Sequence, residues 1–163
     1  IAGGFCYEEK ANGQWKRNHP MGHDHVRGAF KAYSKECFSA IGGLRQAMGW
    51  DTIDELLARF FDFETLTLAR LKVKHLRPLG AGYSLQAAQL QGAAFYSMRY
   101  GLLLSVLASL KSALTQKSIW TFFQLINGFQ RAKQEQTPFL ITPEQGKFIR
   151  NYRWNKIWNK TSH

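Results

Sequence analysis

The stretch "AIGGLRQAMGWDTIDELLARF", residues 40–60, decides how this chain is read. It runs from a paired-glycine stop through a loop to Trp50, and then places Asp51, Asp54 and Glu55 at the start of a segment whose apolar residues Ile53, Leu56, Leu57 and Phe60 recur at helical spacing. Acids in a first helical turn suit the helix dipole, and Asp51 suits an N-cap. A carboxylate in that position is also accessible, because the first turn has no preceding turn to cover it, and near a sugar hydroxyl it could accept a proton as a general base.

Upstream of the glycines, "VRGAFKAYS" reads as a strand leading into a helix, "KECFSAI", capped by Ser34 and closed by Gly42 and Gly43. Further upstream, the first 25 residues read as mostly loop, with a short strand-like run at Phe5–Tyr7 and turn chemistry at Asn12-Gly13, Pro20 and Gly22. Downstream, "ETLTLARLKVKHLRP" reads as one extended strand stopped by Pro78. Strand, helix, loop, helix and strand in this order give an α/β pattern.

Beyond "PLGAG" the pattern becomes helical. Residues 85–133 contain no proline, and Phe95, Met98, Leu102, Val106, Trp120, Phe123 and Ile126 keep a helical period, which predicts two helices with a break near Gln116. The uncharged run between Arg99 and Lys111 is 11 residues, short of the ~20 needed to cross a bilayer. The tail "EQGKFIRNYRWNKIWNK" sets Phe148, Tyr152, Trp154 and Trp158 among lysines and arginines, which suits an interface between water and something apolar or anionic.

A chain of 163 residues with 45% hydrophobic content can bury a core, which excludes intrinsic disorder as the reading. Cys6 and Cys37 make neither a disulfide framework nor a zinc spacing and fit a reducing compartment. Charge is uneven: residues 1–79 hold 12 Lys/Arg and 9 Asp/Glu, residues 80–163 hold 10 and 2. The second half could therefore face nucleic acid, anionic lipid or an acidic substrate, although no helix-turn-helix or zinc signature supports nucleic acid.

"DHVRGAFKAYSKECFSAIGGL" followed by "GWDTIDELLARFFDFETLTLARLKVKHLRP" resembles the C-terminal, acceptor-side part of the catalytic domain of family 2 glycosyltransferases, inverting nucleotide-sugar enzymes with a GT-A fold. The resemblance spans residues 2–79. It rests on Gly28–Tyr33 as the strand, Lys35–Leu44 as the helix ending in two glycines, Trp50-Asp51 at the acidic motif, and Lys72–His75 as a strand running out to a histidine. It implies Asp51 as catalytic base, with Trp50 standing where the family motif has Glu. Trp50 could stack on a sugar or belong to the core, and Asp54, Glu55 and Arg27 are candidates for acceptor binding.

The resemblance further implies His75 as a ligand of a divalent metal, manganese or magnesium, in the full-length enzyme, with a structural role as the alternative. His19, His23, Asp24 and His25 cluster in a Pro/Gly loop without the fixed spacing of a metal site. The family's nucleotide-binding half, with its Asp-x-Asp motif, would precede residue 1. The expectation is therefore an incomplete GT-A-like domain over residues 1–79, inactive by itself and able to self-associate through an exposed sheet edge, followed by a basic amphipathic helical region over residues 80–163. Donor, glycan or lipid-linked acceptor, and anionic membrane are the implied partners. The implied location is cytoplasmic, peripheral at the inner face of the cell membrane. The alternative is a non-catalytic basic module for a membrane surface or nucleic acid.

Overall fold

The computed structural model describes residues 1–9, 12–17, 25–26, 28–76 and 85–161. Arg27, His19, His23 and Asp24, and the turn residues Pro20, Gly22 and Pro78, lie outside them. The chain is mixed α/β and divides into two compact units, Ile1–Gln46 with Trp50–Ala81, and Ala47–Gly49 with Gly82–His163.

Among the described residues the first unit is a four-stranded mixed sheet with two helices. Its centre is strand β1, Ala2–Glu9. Strand β4, Leu66–His75, runs parallel along one edge of β1; the other edge carries β3, Lys31–Ala32, paired with Ala2 and Gly3, and β2, Trp15–Arg17, paired with Tyr7–Glu9, both antiparallel. The sequence reads this opening segment as mostly loop with a short strand-like run at Phe5–Tyr7, and β1 extends that run back across Gly3 and Gly4, which disfavour a strand by propensity. Their bareness serves packing instead. A Cβ on Gly3 would lie 2.3 Å from the Phe30 carbonyl oxygen, and one on Gly4 2.4 Å from that of Leu71. The Leu71 contact arises where the β1–β4 register jumps: Gly4 pairs with Leu68 but Phe5 pairs with Lys72, so Ala69–Leu71 bulge against the glycine.

Of the strand expected in "VRGAFKAYS", the described residues form the two of β3. Helix α1, Lys35–Ala40, follows as expected, with the Cys37 N–H donating to Ser34 Oγ at 3.2 Å. It closes through Gly42 and Gly43 at φ 78° and 74°, where the Gly43 N–H donates to the Phe38 carbonyl at 2.9 Å. Helix α2, Trp50–Phe60, buries Ile53, Leu56 and Leu57 and ends where Asp62 takes a left-handed conformation.

The second unit consists of helices α3 (Leu85–Ser97), α4 (Gly101–Gln116), α5 (Ile119–Gln134) and α6 (Pro143–Thr161). The break near Gln116 is present, at Lys117 with φ 50°, but the single helix expected before it is two. Arg99 at φ 52° and Gly101 at φ 75° interrupt it. A non-glycine residue holds that conformation only where its surroundings fix it, and here they do. The Arg99 Nε donates to the Ile141 carbonyl at 2.8 Å, its guanidinium lies 3.6 Å over the Phe139 ring, and its carbonyl accepts from Arg150 at 2.7 Å.

Helices α3 and α5 cross at two glycines. A Cβ on Gly92 would lie 1.9 Å from the Leu125 carbonyl oxygen, and one on Gly128 2.0 Å from that of Gln89. The core of this unit is Phe95, Met98, Leu125, Phe129, Ile141 and Ile149. Leu102, Trp120 and Phe123, read from the sequence as part of the periodic apolar face, are exposed instead. Among the described residues no helix is long and apolar enough to cross a membrane.

Candidate active site at the start of helix α2

The acids of the opening stretch separate by environment. Asp51 is exposed, whereas Asp54 and Glu55 are buried. Burying two carboxylates on one helix is costly unless each finds charged and polar donors. Lys31 is the principal donor. Its ammonium, on β3, lies 2.8 Å from Asp54 Oδ1, 3.0 Å from Glu55 Oε1 and 2.5 Å from the backbone carbonyl of Asp51. Three protons thus meet acceptors on three residues of one helix.

The remaining acceptor capacity is also filled. The Tyr33 hydroxyl donates to Asp54 Oδ2, the Val26 N–H donates to Glu55 Oε1 at 2.9 Å, and His25 Nδ1 lies 2.7 Å from Glu55 Oε2. Burial by itself pushes the Glu55 carboxyl up, but the hydrogen bond from His25, the charge of Lys31 and the Val26 amide outweigh it and hold the group below its ordinary value. Burial, reinforced by the Asp54 carboxylate, pushes the Tyr33 phenol up. His25 is itself clamped, since its carbonyl accepts the Thr67 hydroxyl from β4.

This network fixes the first turn of α2. The Lys31 bond to the Asp51 carbonyl ties that turn to β3, and Gly28 lies directly against the Asp51 side chain: a Cβ there would be 2.9 Å from Asp51 Cβ and 3.3 Å from Oδ2. Asp51 is thereby the acid of the three that is held by its backbone while its side chain reaches solvent.

Other expected site residues fall elsewhere. Trp50 is buried, with the Arg45 guanidinium 5.3 Å from its ring centre, so the structure places it in the core rather than in a sugar-stacking position. Asp54 and Glu55 are buried, and their carboxylate oxygens are engaged by Lys31, Tyr33, Val26 and His25. His75 sits at the end of β4, paired with Glu8. Among the described residues no three His, Cys, Asp or Glu side chains converge to hold a metal ion. Arg27 lies outside the described residues.

Lys31, Tyr33 and His25 are the participants the sequence did not announce as a unit. Their one signal is chemical: two adjacent acids within a helix's apolar stretch need cations, and Lys31 lies in β3 with Tyr33 just after it.

Comparison with protein-family models, with curated proteins and with solved structures gives no match.

Proposed function

We propose that this chain is the acceptor-side portion of an inverting, nucleotide-sugar-dependent glycosyltransferase acting on a glycan or lipid-linked acceptor, with Asp51 as general base. The observation that carries the reading is the contrast among the three acids. Asp54 and Glu55 are consumed by Lys31, Tyr33, Val26 and His25, and the first turn they anchor presents Asp51 to solvent.

In this reading the Asp51 carboxylate takes the proton from an acceptor hydroxyl as that oxygen attacks the anomeric carbon, and the nucleoside diphosphate departs from the opposite face, which inverts the configuration. Lys31 and Gly28 hold and make room for the base. The divalent metal of such a reaction finds no complete site among the described residues, where His75 offers one imidazole. A position peripheral to the inner face of the cell membrane, where lipid-linked acceptors lie, completes the reading.

The test is Asp51→Asn in the full-length protein, assayed against a panel of nucleotide sugars. Transfer falls about 100-fold to 10,000-fold while donor binding persists. Turnover near the wild-type rate would leave Asp51 an exposed acid of the first turn of α2, not the N-cap read from the sequence, and nothing more.

A further inference from the structure

Helix α4 is built inside out. Its buried face holds one leucine, Leu104 at 5% exposure, beside Ser105 and Ser109 at 0% and Ala113 at 5%, whereas Leu103, Leu107, Leu110 and Leu114 are exposed, Leu103 at 63% and Leu114 at 71%. The leucines recur at i, i+4, i+7 and i+11, so they form one continuous stripe. Ile119, Trp120 and Phe123, at the start of α5, add exposed apolar surface directly after the helix. In water this arrangement wastes apolar burial, and a patch of this kind marks something that covers it.

Charge selects the occupant. From residue 85 to residue 134 the sequence has no Asp or Glu, but it has Arg99, Lys111, Lys117, Arg131 and Lys133. Lys111, following Leu110, and Lys117, which ends α4, are exposed beside the stripe. A second copy docked face to face would bring these cations against themselves with no acid on either surface to answer them. An anionic bilayer answers them and accepts the leucines together. Helix α4 has 16 residues and is about 24 Å long, and its opposite face is buried, so it cannot span.

We propose that the Leu103–Leu107–Leu110–Leu114 stripe of α4, continued by Trp120 and Phe123, is a membrane-inserting surface that lies in the plane of an anionic lipid leaflet. This rests on the peripheral location proposed above and gives it an address distinct from the aromatic tail on α6. Lys111 and Lys117 sit at headgroup level, and Trp120 takes the interfacial place that tryptophan favours.

The experiment is co-sedimentation of the full chain with vesicles of mixed phosphatidylglycerol and phosphatidylcholine, and with phosphatidylcholine alone. The wild type binds the anionic vesicles more strongly, and high salt weakens the binding. The triple variant Leu107→Ser/Leu110→Ser/Leu114→Ser binds roughly 100-fold more weakly. Its circular dichroism and melting temperature stay at wild-type values, since the substituted side chains are exposed. Trp158→Ala on α6 retains binding. Wild-type-like binding by the leucine variant, with loss in Trp158→Ala, would overturn the assignment to α4 and leave a peripheral location resting on the tail. Absence of any vesicle binding, or a dimer in sedimentation velocity that the leucine variant dissolves, would overturn it as well. Sugar transfer by the full-length protein to a soluble acceptor is read separately, so failure of the catalytic reading appears as lost transfer with vesicle binding intact.

Discussion

The Lys31 ammonium lies 2.8 Å from Asp54 Oδ1 with both side chains almost wholly buried, and it is the joint between β3 and the first turn of α2. Removing one partner leaves an uncompensated buried charge. Lys31→Met is expected to destabilise the protein by about 3–5 kcal/mol, measured by urea unfolding. The pair Lys31→Met/Asp54→Asn should lose less than the sum of the single changes, because the stranded carboxylate is gone. Additive losses would show that the two side chains are energetically separate.

Glu55 gives the protein an acid-sensitive element. Its carboxyl is held below the ordinary 4.5 in the folded state, so the stability it contributes is present above that value and is lost as pH falls through the folded value. Its neighbours His25 and Lys31 face it, and Lys31 also holds Asp54. Replacing Glu55 by Gln should lower stability at neutral pH and flatten its decline below pH 4.5, read from urea midpoints across an acid series. An unchanged slope would remove Glu55 from the acid response.

Tyr33 acts at the other end of the scale. Burial and the hydrogen bond to Asp54 raise its phenol above the ordinary 10.0, so its contribution is complete below that pH and is lost as pH climbs from there through the folded value. Tyr33→Phe should remove part of the alkaline destabilisation above pH 10.0, followed by circular dichroism against pH.

The α3–α5 crossing depends on bare backbone at two points. Gly92→Ala and Gly128→Ala each drive a methyl into a carbonyl group of the facing helix, and each should cost about 3 kcal/mol. Combined, they should cost less than twice that, since the first substitution already separates the helices. Thermal melting of the single and double variants reads this, and a change below about 0.5 kcal/mol in either single variant would contradict the close crossing.

Gly28→Ala isolates the placement of Asp51. Its methyl would press on Asp51 Cβ at 2.9 Å, so transfer by the full-length protein should fall about tenfold or more while the melting temperature changes little. Loss of stability in step with activity would show that Gly28 serves folding alone.

What was legible in the sequence is what neighbouring residues decide. Ser34 and the Gly42-Gly43 pair bound α1, Ile53, Leu56 and Leu57 mark the buried face of α2, and the stop at Lys117 falls where the pattern breaks near Gln116. Each depends on contacts within a few positions, where periodicity and capping chemistry act. The position of Asp51 at the start of its helix was legible for the same reason.

Only tertiary structure decided the rest. β1 is central because β4 and the Phe30 region come close enough to need glycine at positions 3 and 4, a fact about residues distant in sequence. Arg99 breaks a continuous helical pattern because Phe139, Ile141 and Arg150 hold it in a left-handed conformation that its own residue type disfavours. Asp54 and Glu55 look like surface acids beside Asp51 until Lys31 is folded against them. Periodicity showed an apolar helical stretch where α4 lies but not which way it faces, since two faces of one helix differ only by what packs against them, and here Leu104 and the serines were packed while Leu103, Leu107, Leu110 and Leu114 were left outside.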